Sequence, residues 1–162
     1  MRILQINVTA NSGSTGRIAE NIGKVFIEKG HESQIAYGRS ANKSVSKLIK
    51  IGNKLDVYEH VLHSRIFDRH GFSSKNATYN FIEQIKRIKP DVIGLHNLHG
   101  YYLNIEILFN YLKAVDIPVI WTLHDCWAFT GHCIHFDYVR CEKWKTHCKN
   151  CPQTHMYPKS II

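Results

Sequence analysis

Short apolar runs alternate along the chain with segments whose apolar residues recur at helical spacing. The runs at 92–95 and 119–123 are apolar without interruption, which is typical of strands buried on both faces. Segments 3–8 and 33–37 also predict strands, and residues three or four positions apart predict helices between them. This order predicts an α/β fold, a Rossmann-like parallel sheet with helices on both faces.

Four predicted helices have apolar residues that share one face. Gly30 and Gly71 end the first and second, and Pro90 closes the third. Asn104 is the predicted N-cap of the fourth, and the region between Arg39 and Lys89 is predicted to be helical and basic. The shared-face residues are Ile18, Ile22, Val25 and Phe26, then Leu55, Tyr58, Leu62 and Ile66, then Phe81, Ile85 and Ile88, and finally Ile105, Leu108, Phe109, Leu112 and Val115.

The length of 162 residues predicts one lobe, with 1–123 as the Rossmann-like part and 124–162 as an irregular Cys/His-rich segment that continues it. A hydrophobic share of 44% with 21% charged residues excludes a disordered chain. There is no apolar run of about 18 residues, and segment 1–7 turns polar too early for a signal peptide. We therefore expect a cytoplasmic protein with reduced or metal-bound cysteines.

The net charge of +8 is concentrated in one region. Eleven Lys or Arg residues and four Asp or Glu residues lie between Arg39 and Lys89. Such a surface attracts nucleic acid, phospholipid headgroups or a phosphorylated substrate, although a solvated helical surface rich in lysine explains the charge as well. Charge alone leaves these alternatives open.

Three predicted loops follow strands at the edge where ligands bind to parallel sheets. The first contains Gly13, Ser14, Thr15, Gly16 and Arg17, and a helix N-terminus behind it offers free N–H groups to an anion. The loop matches neither the P-loop nor the dinucleotide fingerprint. It is a candidate phosphate site, and an ordinary Gly/Ser turn is the alternative.

The other two loops carry histidines after neighbouring strands. His96, Asn97 and His99 follow the strand at 92–95, and His124 and Asp125 follow the strand at 119–123. One such histidine is most often a satisfied polar group, but two loops at adjacent strand ends predict a shared polar site. We expect both loops and the Gly13–Arg17 loop to open on one cleft.

The C-terminal segment contains the cysteines Cys133, Cys141, Cys148 and Cys151, spaced C-x7-C-x6-C-x2-C. Four thiolates suit a structural zinc ion, although the first two lack the usual CxxC spacing. The alternatives are free thiols packed as small hydrophobic groups, disulfides or redox chemistry. His132, His135 or His147 could replace one cysteine ligand, and Cys126, which lies outside the cluster, has no clear base that would make it a nucleophile.

Several of these segments together resemble the N-terminal lobe of a family 4 glycosyltransferase of GT-B architecture. The resemblance rests on Ile3–Asn7 with the Gly/Ser loop, on Asp91–Gly100 and on Val119–Asp125. The continuation Cys126–Cys133 is similar to a bacterial subgroup that assembles capsular polysaccharides and exopolysaccharides.

The resemblance implies a retaining hexosyl transfer from a nucleotide-sugar donor, bound between two lobes, to a glycan or lipid-linked acceptor. No cofactor or catalytic metal is implied. His124 would be the catalytic residue, because it would orient the donor sugar and support developing charge rather than act as a general base. Residues 13–16 would face the donor phosphates and the reacting sugar, and the His96/His99 loop would line the acceptor side. The basic helices would suit peripheral contact with an anionic membrane at the inner face of the plasma membrane.

Members of this family continue into a second, nucleotide-binding lobe with an acidic E-x7-E region, and this sequence ends before it. We therefore expect the isolated chain to be inactive and to need that lobe in cis or in trans. Two other functions stay open. One is a basic, zinc-stabilised nucleic-acid-binding module, which the absence of a recognition helix tied to the cysteines disfavours. The other is a non-catalytic docking subunit. In the glycosyltransferase interpretation no nucleic acid is expected.

Overall fold

The computed structural model describes residues 1–161 and contains a five-stranded, fully parallel sheet. The strand order is β3-β2-β1-β4-β5, so the chain order reverses between β1 and β4. This confirms the predicted α/β, Rossmann-like fold. The strands are β1 Arg2–Asn7, β2 Glu32–Tyr37, β3 Lys47–Lys50, β4 Val92–Leu95 and β5 Val119–Trp121.

Five α-helices accompany the sheet within residues 1–161, and side-chain caps fix the start of two of them. Asn53 caps the second helix in a reciprocal capping box with Asp56, and Asn104 accepts from the Ile107 N–H as predicted. No helix within residues 1–161 combines the length and the apolar character needed to cross a bilayer. The helices are α1 Gly13–Glu28, α2 Lys54–Phe67, α3 Lys75–Ile88, α4 Ile105–Ala114 and α5 Trp127–Thr130.

Two apolar cores lie on the two faces of the sheet. Neighbouring residues of β2 belong to different cores, because successive side chains of a strand point to opposite faces of the sheet. Ile35 packs with Ala19 of α1 in the smaller core, whereas Ala36 belongs to the larger core with Phe81 of α3 and Leu108 of α4. The helices therefore cover both faces, as the apolar pattern predicted.

Several details of the sequence prediction are wrong, and three of them concern β3, β5 and α1. Residues 47–50 form an edge strand within the region that we predicted to be helical. β5 was predicted to be buried on both faces, but Val119 and Ile120 are exposed because β5 is the other edge of this sheet. Helix α1 buries its small residues Ala19 and Gly23 instead of the predicted apolar face, because it lies too close to the sheet for larger side chains.

Gly38, directly after β2, is a position where a single methyl group should destabilise the fold. A Cβ there would overlap the ring of Tyr102, which is fully buried. We expect Gly38→Ala to lower the free energy of unfolding by roughly 1–3 kcal/mol, measured by urea denaturation. Gly94→Ala is the matched control, because its Cβ would meet its nearest neighbour, Gln5 Cγ, at 3.5 Å. Equal stability of the two variants would contradict the packing argument.

Candidate functional site

The candidate site lies at the carboxyl ends of β1 and β4, where the strand order reverses. Asn7, the last residue of β1, joins two of the predicted loops. Its Nδ2 donates to Thr9 O at 2.8 Å and to Thr15 Oγ1 at 3.3 Å, and its Oδ1 accepts from the Asn97 N–H at 3.2 Å. The turn after β1 and the loop after β4 are therefore held together at one edge of the sheet, where α/β folds bind ligands.

The predicted loop of residues 13–17 is the beginning of helix α1 rather than a loop. Gly13 and Ser14 are exposed, and the exposed Arg17 donates from Nε to Gly13 O at 3.1 Å. Gly16 is packed against the preceding turn, since a Cβ there would lie 2.6 Å from Thr9 Oγ1. Of these residues, Thr15 is the one that Asn7 connects directly to the loop after β4.

The first histidine pair, His96 and His124, is oriented by a buried glutamine. Gln5 donates from Nε2 to Ala19 O at 2.8 Å, so its Oε1 accepts from His96 Nε2, 3.1 Å away. His96 consequently carries its proton on Nε2, and its Nδ1 accepts from His124 Nε2 at 3.0 Å. The two rings are stacked, with centroids 5.3 Å apart.

This arrangement fixes which nitrogen of His124 is available to a ligand. Burial, followed by the neighbouring His124, lowers the pKa of His96 to about 4, so His96 is neutral near pH 7. A neutral His96 can accept on Nδ1, and His124 uses its Nε2–H there. The Nδ1 of His124 is left to accept a hydrogen bond when the ring is neutral and to donate one when it is protonated.

The second pair joins His99 and Asp125. His99 Nε2 donates to Asp125 Oδ2 at 2.7 Å, and His99 Nδ1 accepts from the Tyr157 hydroxyl at 3.2 Å. Burial alone would raise the pKa of Asp125, but the hydrogen bonds from His99 and from the Trp127 N–H hold that pKa below its ordinary value. Burial raises the pKa of Tyr157, so its hydroxyl stays protonated and can donate.

A cavity of about 480 Å³ opens beside His99. A separate recess of only about 10 Å³ is bounded by His96, His124 and Asp125, and His99 lies in the wall of both. The large cavity has the volume of a small-molecule site, whereas the recess does not. The large cavity is lined by Val8, Thr9, Arg39, Ser40, His99, Gly100 and Tyr157.

No protein-family model matches the chain. It is similar to a protein of Escherichia coli (strain K12) described as "Putative colanic acid biosynthesis glycosyl transferase WcaC", with 32% identity over 170 residues. The chain is thus similar, over nearly all of its length, to one part of a protein described as a glycosyl transferase. The match covers 98% of this chain and 41% of WcaC, so the chain spans about two fifths of the length of its relative.

Aromatic rings pack around His70, next to the cavity. His70 accepts from the Gly100 N–H at 3.4 Å and packs against Trp127 and Tyr157. Burial, and then the neighbouring His99, lowers the pKa of His70 to about 2, so this ring stays neutral. His70 Nδ1 and Trp127 Nε1 are buried without a hydrogen-bond partner in the described part of the chain. A wall of neutral aromatic rings, bonded through His70 to the Gly100 N–H, thus holds the loop after β4.

Among the residues of the site that were absent from the sequence-based candidates are Gln5, Asn7, Arg39, Ser40 and Tyr157. Gln5 and Asn7 are polar residues in a buried strand, and that mismatch is a signal that could have identified them. Arg39 and Ser40 follow the strand at 32–37 and could have been found by the strand-end argument. Tyr157 carries no local signal, because the fold of the irregular C-terminal segment brings it to His99.

The zinc hypothesis gains no support from the arrangement of the C-terminal cysteines. Within residues 1–161, no three His, Cys, Asp or Glu side chains are grouped so that they could hold a metal ion. Burial raises the pKa of the Cys133 thiol, which favours its protonated form. His132 Nδ1 donates to Asp68 Oδ1 at 2.7 Å, so this nitrogen is used in a hydrogen bond to a carboxylate. The zinc site on Cys133, Cys141, Cys148 and Cys151 stays a prediction.

Proposed function

We propose that the chain is the acceptor-binding lobe of a retaining, family 4 hexosyltransferase of GT-B architecture. The observation that carries the proposal is the meeting of the two histidine pairs and the β1 turn at the strand-order reversal, together with the similarity to WcaC. The reaction breaks the bond between the anomeric carbon and the diphosphate oxygen of a nucleotide sugar. An acceptor oxygen forms the new bond, and its proton leaves with the nucleoside diphosphate.

His124 is the proposed catalytic residue. Its Nε2–H is already used on His96, so Nδ1 is the atom that contacts the transferred sugar. A neutral ring accepts there from a sugar hydroxyl and orients the donor, and a protonated ring stabilises negative charge that develops on the departing phosphate. Gln5 and His96 act through His124 and are positioning residues.

The N-terminus of α1 is the proposed contact for the donor phosphates. Helix N–H groups and the helix dipole attract anions there, and the Ser12 side chain makes no capping hydrogen bond that would occupy those groups. No acidic residue lies in the first turn. We propose that a second lobe, in cis or in trans, binds the nucleotide, so transfer requires both lobes but no cofactor or catalytic metal. The expected location is the cytoplasm.

The 480 Å³ cavity is the proposed acceptor site. His99 is held between Asp125 and Tyr157, so its ring has a fixed orientation in the cavity wall. The hydroxyl of Tyr157 donates to His99, which leaves its oxygen lone pairs to accept from an acceptor hydroxyl. Arg39 supplies a permanent positive charge to the same cavity. These groups favour a glycan or lipid-linked acceptor that carries a phosphate or diphosphate.

Binding of acceptor analogues to the 162-residue chain tests this site. We expect calorimetry to show that a glycosyl diphosphate binds more tightly than the neutral sugar, and that Arg39→Gln weakens diphosphate binding by about tenfold, the loss of one charge-assisted contact. Arg140→Gln is the matched control, because Arg140 is exposed and lies outside the cavity lining. Equal binding of the charged and neutral sugars, or equal effects of the two substitutions, would exclude this acceptor site.

A further inference from the structure

A groove runs along the open edge of the sheet at β3. This strand pairs with β2 on one side and, within residues 1–161, with no strand on the other. All of its residues, Lys47–Lys50, line a cavity of about 350 Å³. The facing wall is one side of helix α3, because Arg87 and Ile88 lie three and four positions after Gln84. This space between the strand and the helix is here named the β3 groove.

The outer side of β3 carries backbone groups that the sheet does not use. The Ile51 N–H donates to Tyr37 O at 2.9 Å, so the backbone of Ile51 faces β2. Peptide groups alternate in direction along a strand, and those of Leu48 and Lys50 therefore point away from β2. The side chain of Leu48 packs with the smaller core, on the face opposite α3, so the groove reaches this residue along the strand edge. Leu48 and Lys50 can each offer one N–H and one C=O to an added strand.

The groove also contains a buried acceptor that lacks a donor. Gln34 of β2 lines the groove and is 7% exposed, and its Oε1 has no hydrogen-bond partner in the described part of the chain. Such an acceptor costs free energy unless a donor reaches it. A peptide N–H can donate to it, whereas an ionised phosphate or carboxylate offers only acceptors. The backbone and Gln34 therefore both favour a peptide as the ligand.

The charge of the groove selects the kind of peptide. Lys47 and Arg87 are exposed in its walls, and among the described residues neither forms an ion pair and no acidic residue lines the groove. Glu83, which lies one turn before Arg87, is paired with Lys86 at 2.6 Å. Carboxylates of a bound peptide would form charge-assisted contacts with the two free cations.

We propose that the β3 groove binds an acidic, extended peptide segment of another protein, which adds to β3 as a further strand. Its backbone pairs with the outward peptide groups of Leu48 and Lys50, and one of its N–H groups donates to Gln34 Oε1. Its carboxylates bind Lys47 and Arg87. Strands β2 and β1 separate this edge from β4, so the bound segment leaves the histidine pairs open. Binding requires no sugar, and it is therefore independent of the proposed function.

A second copy of this chain does not have the required chemistry. Carboxylates on one side of a strand stand two positions apart, and nowhere in this chain are two acidic residues so spaced. Two β3 edges brought together would also place the lysines of one against those of the other, which is unfavourable. The acidic segment therefore belongs to a different protein.

Titration of the 162-residue chain with a designed peptide tests the proposal. The probe is a capped peptide of about eight residues, an ordinary strand length, that alternates glutamate with threonine or valine. We expect nuclear magnetic resonance to show amide shifts centred on β3 and α3, and binding that weakens as salt is raised. The same peptide with methylated backbone nitrogens keeps its charges but cannot donate, so it should bind at least about tenfold more weakly.

A pair of double variants separates the groove from general charge. Lys47→Gln with Arg87→Gln should weaken binding of the unmethylated peptide by at least about tenfold, because two charge-assisted contacts are lost. Lys29→Gln with Lys113→Gln is the matched control, since both lysines are exposed, both lie outside the groove lining, and the net charge changes equally. The substituted side chains are all exposed, so we expect native circular dichroism from both variants.

The proposal is overturned if the unmethylated peptide does not bind, or if its shifts lie away from the β3 groove. Equal binding of the methylated peptide would leave only attraction between charges, and equal effects of the two double variants would place the contact elsewhere. Two other occupants would also contradict it. One is inorganic polyphosphate, if it binds the groove more tightly than the peptide. The other is a second copy, if ultracentrifugation shows a dimer that Lys47→Gln with Arg87→Gln alters.

Discussion

Acidification from about pH 7 to about pH 5 is expected to remove about 5 kcal/mol of the free energy of unfolding, as much as the whole stability of a marginally stable domain. The reason is a set of three histidines that the fold keeps neutral. Burial is the main cause in each case, and it lowers the pKa of His60 to about 4, of His70 to about 2 and of His96 to about 4. All three are less than 5% exposed.

The direction follows from proton binding in the two states. In the unfolded chain each ring takes up a proton as the pH falls through its ordinary pKa near 6.5, whereas in the folded protein it does not until well below that pH. The unfolded state therefore binds up to three more protons, and the free energy of unfolding falls by up to about 4 kcal/mol per pH unit. The Asp125 carboxylate, whose pKa is lowered, adds a further loss only below its ordinary pKa, in more acidic solution.

Urea denaturation at a series of pH values measures this slope. His70→Gln should lower the number of protons taken up on unfolding by about one, and the slope with it, whatever its effect on the stability at neutral pH. His155→Gln should leave the slope unchanged, because His155 is exposed. A wild-type slope close to zero between about pH 6.5 and about pH 5 would show that these rings are not held neutral by the fold.

The succession of strands and helices was predictable because it depends on local pattern. The uninterrupted apolar run at 92–95 predicted β4. Asn104 and the helical spacing of the apolar residues after it predicted α4. The short edge strand β3 was missed because Lys47 and Lys50 enclose only two apolar residues, which is too little for a strand signal. An edge strand tolerates such charges, since one side of its backbone and part of its surface face water.

Periodicity identified helix α2 but could not say which of its sides is buried. The spacing of Leu55, Tyr58 and Leu62 places them on one face, and burial is the usual expectation for such a face. In this protein the buried side is polar, because His60 finds hydrogen-bond partners in Ser74 and in the backbone of Gly71. These partners lie beyond the end of the helix, so no local pattern reveals them.

The histidine loops of the site could be predicted because parallel strands that lie side by side end at the same edge of the sheet. That argument placed the loop of His96 and His99 beside the loop of His124 and Asp125, and the structure joins the two loops by hydrogen bonds. The sequence could not predict which histidine pairs with which residue. That choice depends on Gln5, which fixes the tautomer of His96 from the neighbouring strand β1.

Replacement of His124 is expected to have the largest effect on the proposed reaction. In protein that carries this chain together with its nucleotide-binding lobe, His124→Ala should lower kcat for sugar transfer by about a hundredfold, with a much smaller change in KM for the acceptor. The loss falls on kcat because the Nδ1 contact is proposed to strengthen as charge develops on the departing phosphate. His124→Gln should recover part of the rate, since its amide can donate to His96 and still offer an oxygen to the sugar.

His147→Ala serves as the control, because His147 is exposed and lies outside the linings of the cavity and of the recess. A second variant separates catalysis from packing. Gln5→Leu removes the acceptor of the His96 Nε2–H, so the tautomer order that directs His124 Nδ1 is lost while His124 itself is retained. We expect nitrogen chemical shifts of the two rings to report the lost order, and kcat to fall together with it. Full activity of His124→Ala would show that His124 has no catalytic role. An unchanged tautomer of His96 in Gln5→Leu would show that Gln5 does not position His124.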